Sequence, residues 1–177
     1  QHTSNLYYTT PGAELAEALC ERTGYKKVFF SNSGAEANEA AIKTARKYSF
    51  DKYGAGRDKI ITLDKSFHGR TMATLTATAQ EAMHNYFFPF NEGFVYCGKD
   101  IEEIKKQEGV CAVMLEFIQG EGGVIPQNKQ FIAQVYDYCK KSDILFIADE
   151  VQTGVGRTGK FLCSEHYGVH PDITTLA

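Results

Sequence analysis

The residues with the plainest chemistry are Asp149 and Glu150, two adjacent acids at the end of the apolar run Ile144-Leu145-Phe146-Ile147-Ala148 and just before Val151 and the amide Gln152. Five apolar residues bounded by polar ones read as a strand buried on both faces. In an open α/β sheet, ligands sit at the carboxyl end of such a strand. A carboxylate placed there without an adjacent Lys or Arg has a cation to meet. Two chemistries supply one: Mg²⁺ held with a water for nucleotide hydrolysis, or the protonated nitrogen of a pyridinium ring. A third account needs no ligand, with Asp149 capping the next turn and Glu150 a solvated charge.

Ser33-Gly34-Ala35 is a second place where chemistry is possible. A short strand is expected over residues 26–30 and strong helix formers run from Ala35 to about Tyr48. The three small residues therefore lie where a strand turns into a helix. Unpaired N–H groups at the positive end of the helix form an anion site, and small side chains let a phosphate come close. The plainer alternative is a Ser-capped helix with a glycine turn. Another expected strand, residues 59–63, feeds the loop Asp64-Lys65-Ser66-Phe67-His68-Gly69-Arg70. It offers a large aromatic, Phe67, and a cation, Arg70, able to grip a carboxylate with two hydrogen bonds. Simple packing of Phe67 and solvation of Arg70 are the alternatives, and His68 reads as a structural loop residue. Glu121 sits in the flexible loop Gln119-Gly120-Glu121-Gly122-Gly123.

Gly154-Val155-Gly156-Arg157-Thr158-Gly159-Lys160 has the spacing of a P-loop, which would favour the nucleotide reading. The next residue is Phe161, where Mg²⁺ needs a hydroxyl, and no separate apolar strand feeds the loop. The nucleotide reading therefore weakens.

Elements able to position these groups follow in order. A helix is expected from about Thr10, with Pro11 in its first turn and Gly24 as its stop. Residues 71–79 read as a helix weakened by four threonines, 93–97 as a strand, and Asp100 as an N-cap. Residues 110–118 form another buried strand. An amphipathic helix spans 128–141, with Phe131, Val135, Tyr138 and Cys139 on one side. A short helix over 161–167 and a last strand over 171–176 complete the chain. Strands alternating with helices predict βα units around a mainly parallel sheet flanked by helices, an α/β fold. Such a sheet gathers most of the candidate groups on one rim.

A chain of 177 residues with 43% hydrophobic content can bury a sizeable core. Its net charge of −3 is mixed along the sequence and argues against a nucleic-acid or anionic-membrane footprint. Five widely spaced cysteines indicate neither a disulfide framework nor a metal site, and fit a reducing, cytoplasmic setting. No apolar run approaches the ~20 residues of a membrane-spanning helix. Both ends look cut, so the chain is expected to be a piece of a longer protein.

Four segments carry a family resemblance: Ser31-Asn32-Ser33-Gly34-Ala35-Glu36-Ala37-Asn38-Glu39-Ala40-Ala41-Ile42-Lys43, Ser66-Phe67-His68-Gly69-Arg70-Thr71, Glu116-Phe117-Ile118-Gln119-Gly120-Glu121-Gly122-Gly123 and Asp149-Glu150-Val151-Gln152-Thr153-Gly154. In this order they resemble the motifs of the class III (subgroup II) pyridoxal-phosphate-dependent aminotransferases. Three further stretches are similar to family members acting on N2-acetylornithine: His2-Thr3-Ser4-Asn5-Leu6-Tyr7-Tyr8-Thr9, Ala77-Thr78-Ala79-Gln80, and Pro89-Phe90-Asn91-Glu92-Gly93-Phe94.

The resemblance implies the large domain of a fold-type I transferase, spanning residues 1–177 in part. It implies that Ser33, Gly34 and Ala35 hold the phosphate of pyridoxal 5'-phosphate, and that Phe67 stacks on its ring. Asp149 pairs with the ring nitrogen and Gln152 with the ring hydroxyl. Arg70 and Glu121 belong to the substrate pocket, where Arg70 takes the α-carboxylate and Glu121 pairs with an arginine outside this chain. The implied reaction moves the δ-amino group of N2-acetylornithine to 2-oxoglutarate, in arginine biosynthesis, within a homodimer whose sites lie at the subunit interface. Ornithine and 4-aminobutyrate are the alternative amine donors, and a fragment that binds a phosphate ligand without turnover is the alternative outside catalysis. Two departures stand out. Phe117 replaces a common Pro, and the family's Schiff-base lysine is expected just after Ala177, together with a small C-terminal domain, so this chain holds no catalytic lysine.

Overall fold

The computed structural model describes residues 7–177, so the resemblance noted from His2 to Leu6 lies outside the described residues. The chain divides into two compact units, Gln1–Ser31 and Asn32–Ala177. In the first, helix α1 (Thr10–Thr23) has Pro11 in its opening turn. It ends at Gly24, whose φ of 78° lets its N–H reach back to the Cys20 carbonyl. Residues 26–30 do not form the expected strand. A strand persists only when its N–H and C=O groups find a ladder partner, and Lys26-Lys27-Val28-Phe29-Phe30 pairs with no strand among the described residues.

In the second unit, the elements after Asn32 are α2 (Gly34–Tyr53), β1 (Lys59–Leu63), α3 (Met72–Ala77), α4 (Glu81–His84), β2 (Phe94–Cys97) and α5 (Ile101–Lys105). They continue with β3 (Val110–Leu115), β4 (Ile118–Gln119), β5 (Ile125–Pro126), α6 (Lys129–Ser142), β6 (Leu145–Asp149), a 3-10 helix (Cys163–His166) and β7 (Ile173–Thr175). Among the described residues, five strands join in the order β2-β1-β3-β6-β7, and every neighbouring pair is parallel. From β1 the chain first goes outward to β2 and then returns past β1 to β3. The carboxyl ends of β1 and β3 therefore flank the point where strand order reverses, the place a parallel sheet leaves open for a ligand.

The pleat sends alternate residues to opposite faces. Ile61, Leu63, Val113, Leu115, Phe146 and Ala148 pack with Ile104 of α5 and with Phe131, Ile132, Val135 and Cys139 of α6. Ile60, Ala112, Met114 and Ile147 face the other way, against Ala41, Ile42 and Ala45 of α2 and Ala73 of α3. The alanines on α2 let that helix lie close to the sheet, which brings its amino end to the strand ends.

The expected strand over residues 110–118 is two strands. β3 stops at Leu115, and Ile118-Gln119 pairs antiparallel with Ile125-Pro126 as a small hairpin. Phe117 causes the break. It is fully buried, its ring stacks on Tyr167 with centroids 4.8 Å apart, and its carbonyl accepts from the Gln127 N–H at 2.9 Å and the Tyr167 hydroxyl at 3.0 Å. With Phe117 turned into the core, Glu116 is turned out of the β3 ladder. The short helix expected over 161–167 is the 3-10 helix, and α3 covers only six of the nine residues expected to be helical.

Phe117→Ala should lower the unfolding free energy by about 3–4 kcal/mol, the usual cost of removing a buried phenyl ring, in chemical denaturation of the full-length protein.

Candidate functional site

The opening of α2 and the segments that follow β1, β3 and β6 meet in an open cleft lined by Gly34, Ala35, Asn38, Phe67, His68, Gly69, Glu116, Ile118, Asp149, Val151, Gln152 and Thr153. Of the residues picked out from sequence, Gly34, Ala35, Phe67, Asp149 and Gln152 come together here. Ser33, Arg70 and Glu121 do not line the cleft, and all three are exposed.

Asp149 is the last residue of β6 and points, like Ile147, toward α2. Its Oδ2 accepts from Asn38 Nδ2 at 2.8 Å and lies 2.7 Å from His68 Nδ1, while Oδ1 accepts from the Val151 N–H at 3.1 Å. Asn38 also donates to the His68 carbonyl at 2.8 Å. Three polar contacts around a carboxyl group that is 5% exposed fix its orientation. Asn38 is the residue that sequence reading passed over, while His68, read as a structural loop residue, is one and also contacts Asp149 in the cleft. Asn38 left one signal: it stands one helical turn after Gly34, so it shares the face that carries the helix opening.

Glu150 is neither a cation ligand nor a solvated charge. It is fully buried, and its carboxylate accepts from the backbone N–H groups of Cys163 and Ser164, the latter at 2.9 Å. Burial pushes its carboxyl above the ordinary value against the pull of those bonds. Its task is to hold the start of the 3-10 helix. The Gly154 to Lys160 segment runs as turns with no helix starting from Lys160, so the P-loop spacing has no P-loop structure behind it.

At the other end of the cleft α2 begins. The Ser33 hydroxyl accepts from the Glu36 N–H at 3.2 Å, and Glu36 Oε2 reaches back to the Asn32 N–H and side-chain amide, each at 2.8 Å. The acid of the first turn is thus occupied locally, and Gly34 and Ala35, the first helical residues, face the cleft with N–H groups the helix itself cannot pair. A Cβ on Gly34 would lie 2.6 Å from Val151 Cγ1, so only glycine fits.

The loop after β1 is braced by the threonines that weaken α3 as a helix. The His68 N–H donates to Thr78 Oγ1 at 2.9 Å, the Thr71 N–H donates to Thr74 Oγ1 at 3.0 Å, and Ser66 takes the Ala79 N–H at 3.2 Å. Gly69 turns with φ 135°, its Cα facing Thr74 and Ala35 too closely for a side chain. The Arg70 guanidinium stands over the Phe67 ring, 5.9 Å from its centroid. Glu116, 5% exposed, accepts from the Phe67 N–H at 3.3 Å. Burial, reinforced by Asp149 and Glu121 and opposed by His68, pushes its carboxyl up to about 7. Gln152 lies against Gly120, where a Cβ would sit 2.0 Å from Gln152 Oε1.

A cleft at the switch point of a parallel sheet, with a long helix opening at one end and a pinned aspartate at the other, defines an α/β domain with a ligand-sized opening on its rim. The chain belongs to the class-III aminotransferases, whose family model matches residues 1–177. It is 52% identical to the acetylornithine aminotransferase of Haemophilus ducreyi over 99% of this chain and 46% of that protein. Among solved structures, N-acetylornithine aminotransferase from Stenotrophomonas maltophilia is 38% identical with a TM-score of 0.83, over 99% of this chain and 44% of that one. Ornithine aminotransferase from Toxoplasma gondii, whose structure reveals partial occupancy of PLP at the active site, is 32% identical with a TM-score of 0.92, over 98% of this chain and 43% of that one. The chain thus spans about half the length of the relatives it matches. No helix among the described residues is long and apolar enough to cross a membrane.

Asn38→Ala removes two buried hydrogen bonds and leaves Asp149 short of a donor, so it should cost roughly 2–3 kcal/mol in denaturant unfolding. Glu116 gives stability a pH signature. Its folded value, about 7, lies above the ordinary 4.5. Between those two values the folded state keeps a proton the unfolded chain has lost, so stability is full below 4.5 and declines as pH rises toward 7. The decline should approach about 3 kcal/mol, and Glu116→Gln should flatten it in denaturation curves taken at several pH values.

Proposed function

We propose that this chain is the cofactor-binding part of an aminotransferase that uses pyridoxal 5'-phosphate to move the δ-amino group of N2-acetylornithine to 2-oxoglutarate. One observation carries the reading: Asp149, buried at the strand end and held by Asn38, His68 and the Val151 N–H, across the cleft from the opening of α2. A carboxylate so fixed matches a protonated ring nitrogen, and a helix opening matches a phosphate. The residues present fit the cofactor at both ends. The substrate assignment rests on the identity to a relative named for acetylornithine.

In this reading Gly34 and Ala35 hold the phosphate through their N–H groups, with Ser33 fixing the helix start. Phe67 covers one face of the ring, and an aromatic face suits a flat heteroaromatic. Gln152 donates to the ring hydroxyl oxygen. Asp149 keeps a proton on the ring nitrogen, and His68 and Asn38 keep Asp149 from turning away. When bound, the cofactor supplies an electron sink for breaking bonds at the amine carbon. Arg70 receives a substrate carboxylate at the exposed side of Phe67, and Glu121, exposed on the hairpin turn, is placed to pair with a cation from outside this chain. The lysine that anchors the cofactor and the small C-terminal domain belong to the remainder of the full-length protein, with the lysine expected just beyond Ala177. Residues 1–177 are then part of the large domain, and the site is completed in a homodimer at the subunit interface. Five free cysteines support a cytoplasmic setting, and the likeness to a relative named for acetylornithine supports arginine biosynthesis as the role. Ornithine as amine donor is the second reading, favoured by the likeness to the Toxoplasma gondii enzyme.

The visible absorption band of bound pyridoxal phosphate in the full-length protein tests the proposal. With no keto acid present, N2-acetylornithine should bleach the band faster than ornithine or 4-aminobutyrate, and 2-oxoglutarate should restore it. Faster bleaching by another amine moves the substrate; absence of any band overturns the cofactor reading.

A further inference from the structure

The cleft contains a second buried carboxyl group. Glu116 sits in the break between β3 and the hairpin, and β3 lies between β1 and β6 in the sheet. It is therefore flanked on one side by the Phe67 loop and on the other by Asp149. The groups facing it are His68 from the loop after β1, Asp149 from β6 and Glu121 from the hairpin, while α2 contributes the neutral Asn38 to the same cleft. Among the described residues, no Lys or Arg forms an ion pair with Glu116.

The two carboxyls are held very differently. Asp149 has three donors between 2.7 and 3.1 Å. Glu116 has one, the Phe67 N–H, at 3.3 Å. A buried carboxylate with a single long hydrogen bond and no cation loses far more solvation than it regains, and a second anion beside Asp149 adds repulsion. Two acids in such unlike surroundings are suited to different tasks.

We propose that Glu116 is a positioning residue of the cleft, fixing the Phe67 backbone and doing so as a neutral acid, so that Asp149 is the single buried anion offered to the ring. The inference rests on the proposed cofactor reading. The Phe67 N–H has no other described partner, so this bond is what ties the Phe67 backbone to the end of β3. Burial, which pushes the Glu116 carboxyl up to about 7, is consistent with this assignment. As pH rises through that value, Glu116 gains charge, its bond to Phe67 shortens or shifts, and the cleft becomes more repulsive to a phosphate-bearing ligand.

Pyridoxal phosphate affinity, measured by absorption or fluorescence titration of the full-length apoprotein between pH 6 and pH 8.5, tests this with three proteins. Glu116→Gln keeps an oxygen for the Phe67 N–H and carries no charge at any pH. The ratio of its affinity to that of the wild type should rise several-fold between pH 6 and pH 8.5. Glu116→Ala loses the bond and should bind about tenfold more weakly at every pH. A pH difference infrared spectrum of the apoprotein should show a protonated-carboxyl carbonyl stretch that vanishes as pH rises past 7 and is absent in Glu116→Gln, a signature that a purely structural residue would not give. A ratio that stays level with pH, or no such infrared band, overturns this inference and leaves the cofactor reading standing. If the wild type fails to bind pyridoxal phosphate at all, the proposed function falls and this inference falls with it.

Discussion

The structure turns on the cost of keeping one polar carboxyl group, Asp149, out of water. Three donors drawn from separate parts of the second unit offset that cost: an amide from α2, an imidazole from the loop after β1, and a backbone N–H from the turn after β6. Each donor has to be delivered. The amide needs the alanine face of α2 pressed onto the sheet, the imidazole needs the β1 loop tied to the threonines of α3, and the N–H needs the turn beyond Asp149 held in place. The packing of α2 and α3 on one face of the sheet therefore bears directly on how this one buried carboxyl group is held. The same bonds leave it facing a cleft on the rim.

Glu150 shows how neighbouring acids separate in purpose. The pleat points the two side chains to opposite sides of the strand. One meets α2 and the cleft, the other meets the backbone of the 3-10 helix. The chemistry of the pair is thereby reduced to a single group, and the second acid becomes part of the scaffold behind it. Threonines play a comparable part in α3: poor helix formers by propensity, they spend their hydroxyls on the backbone of the loop they flank.

Much of the fold was legible in the sequence because its signals are local. Apolar runs ending in polar rims marked β1, β3 and β6, and Ser33-Gly34 marked the start of α2. The amphipathic pattern over residues 128–141 marked α6, with Asn128 capping it through the Gln130 and Phe131 N–H groups. Local signals failed where a partner decides the outcome. Residues 26–30 have strand composition and no ladder, and 110–118 is split because Phe117 finds Tyr167, fifty positions further on, more favourable than a continued strand. The site divides along the same line. Asp149, Gly34, Ala35, Phe67 and Gln152 stand in motifs of their own. Asn38 gains its meaning from a residue 111 positions away, and His68 from one 81 positions away. Glu116 looks like a strand residue until the strand is seen to stop before it.

The contact between Gly34 and Val151 has a consequence for motion. Because the valine methyl groups occupy the volume a side chain on Gly34 would need, the helix opening and the turn behind Asp149 touch without any yielding group between them. Neither end of the cleft can shift alone toward the other. The separation of the helix opening from the turn after Asp149 is set by direct van der Waals contact, which makes this part of the cleft wall stiff.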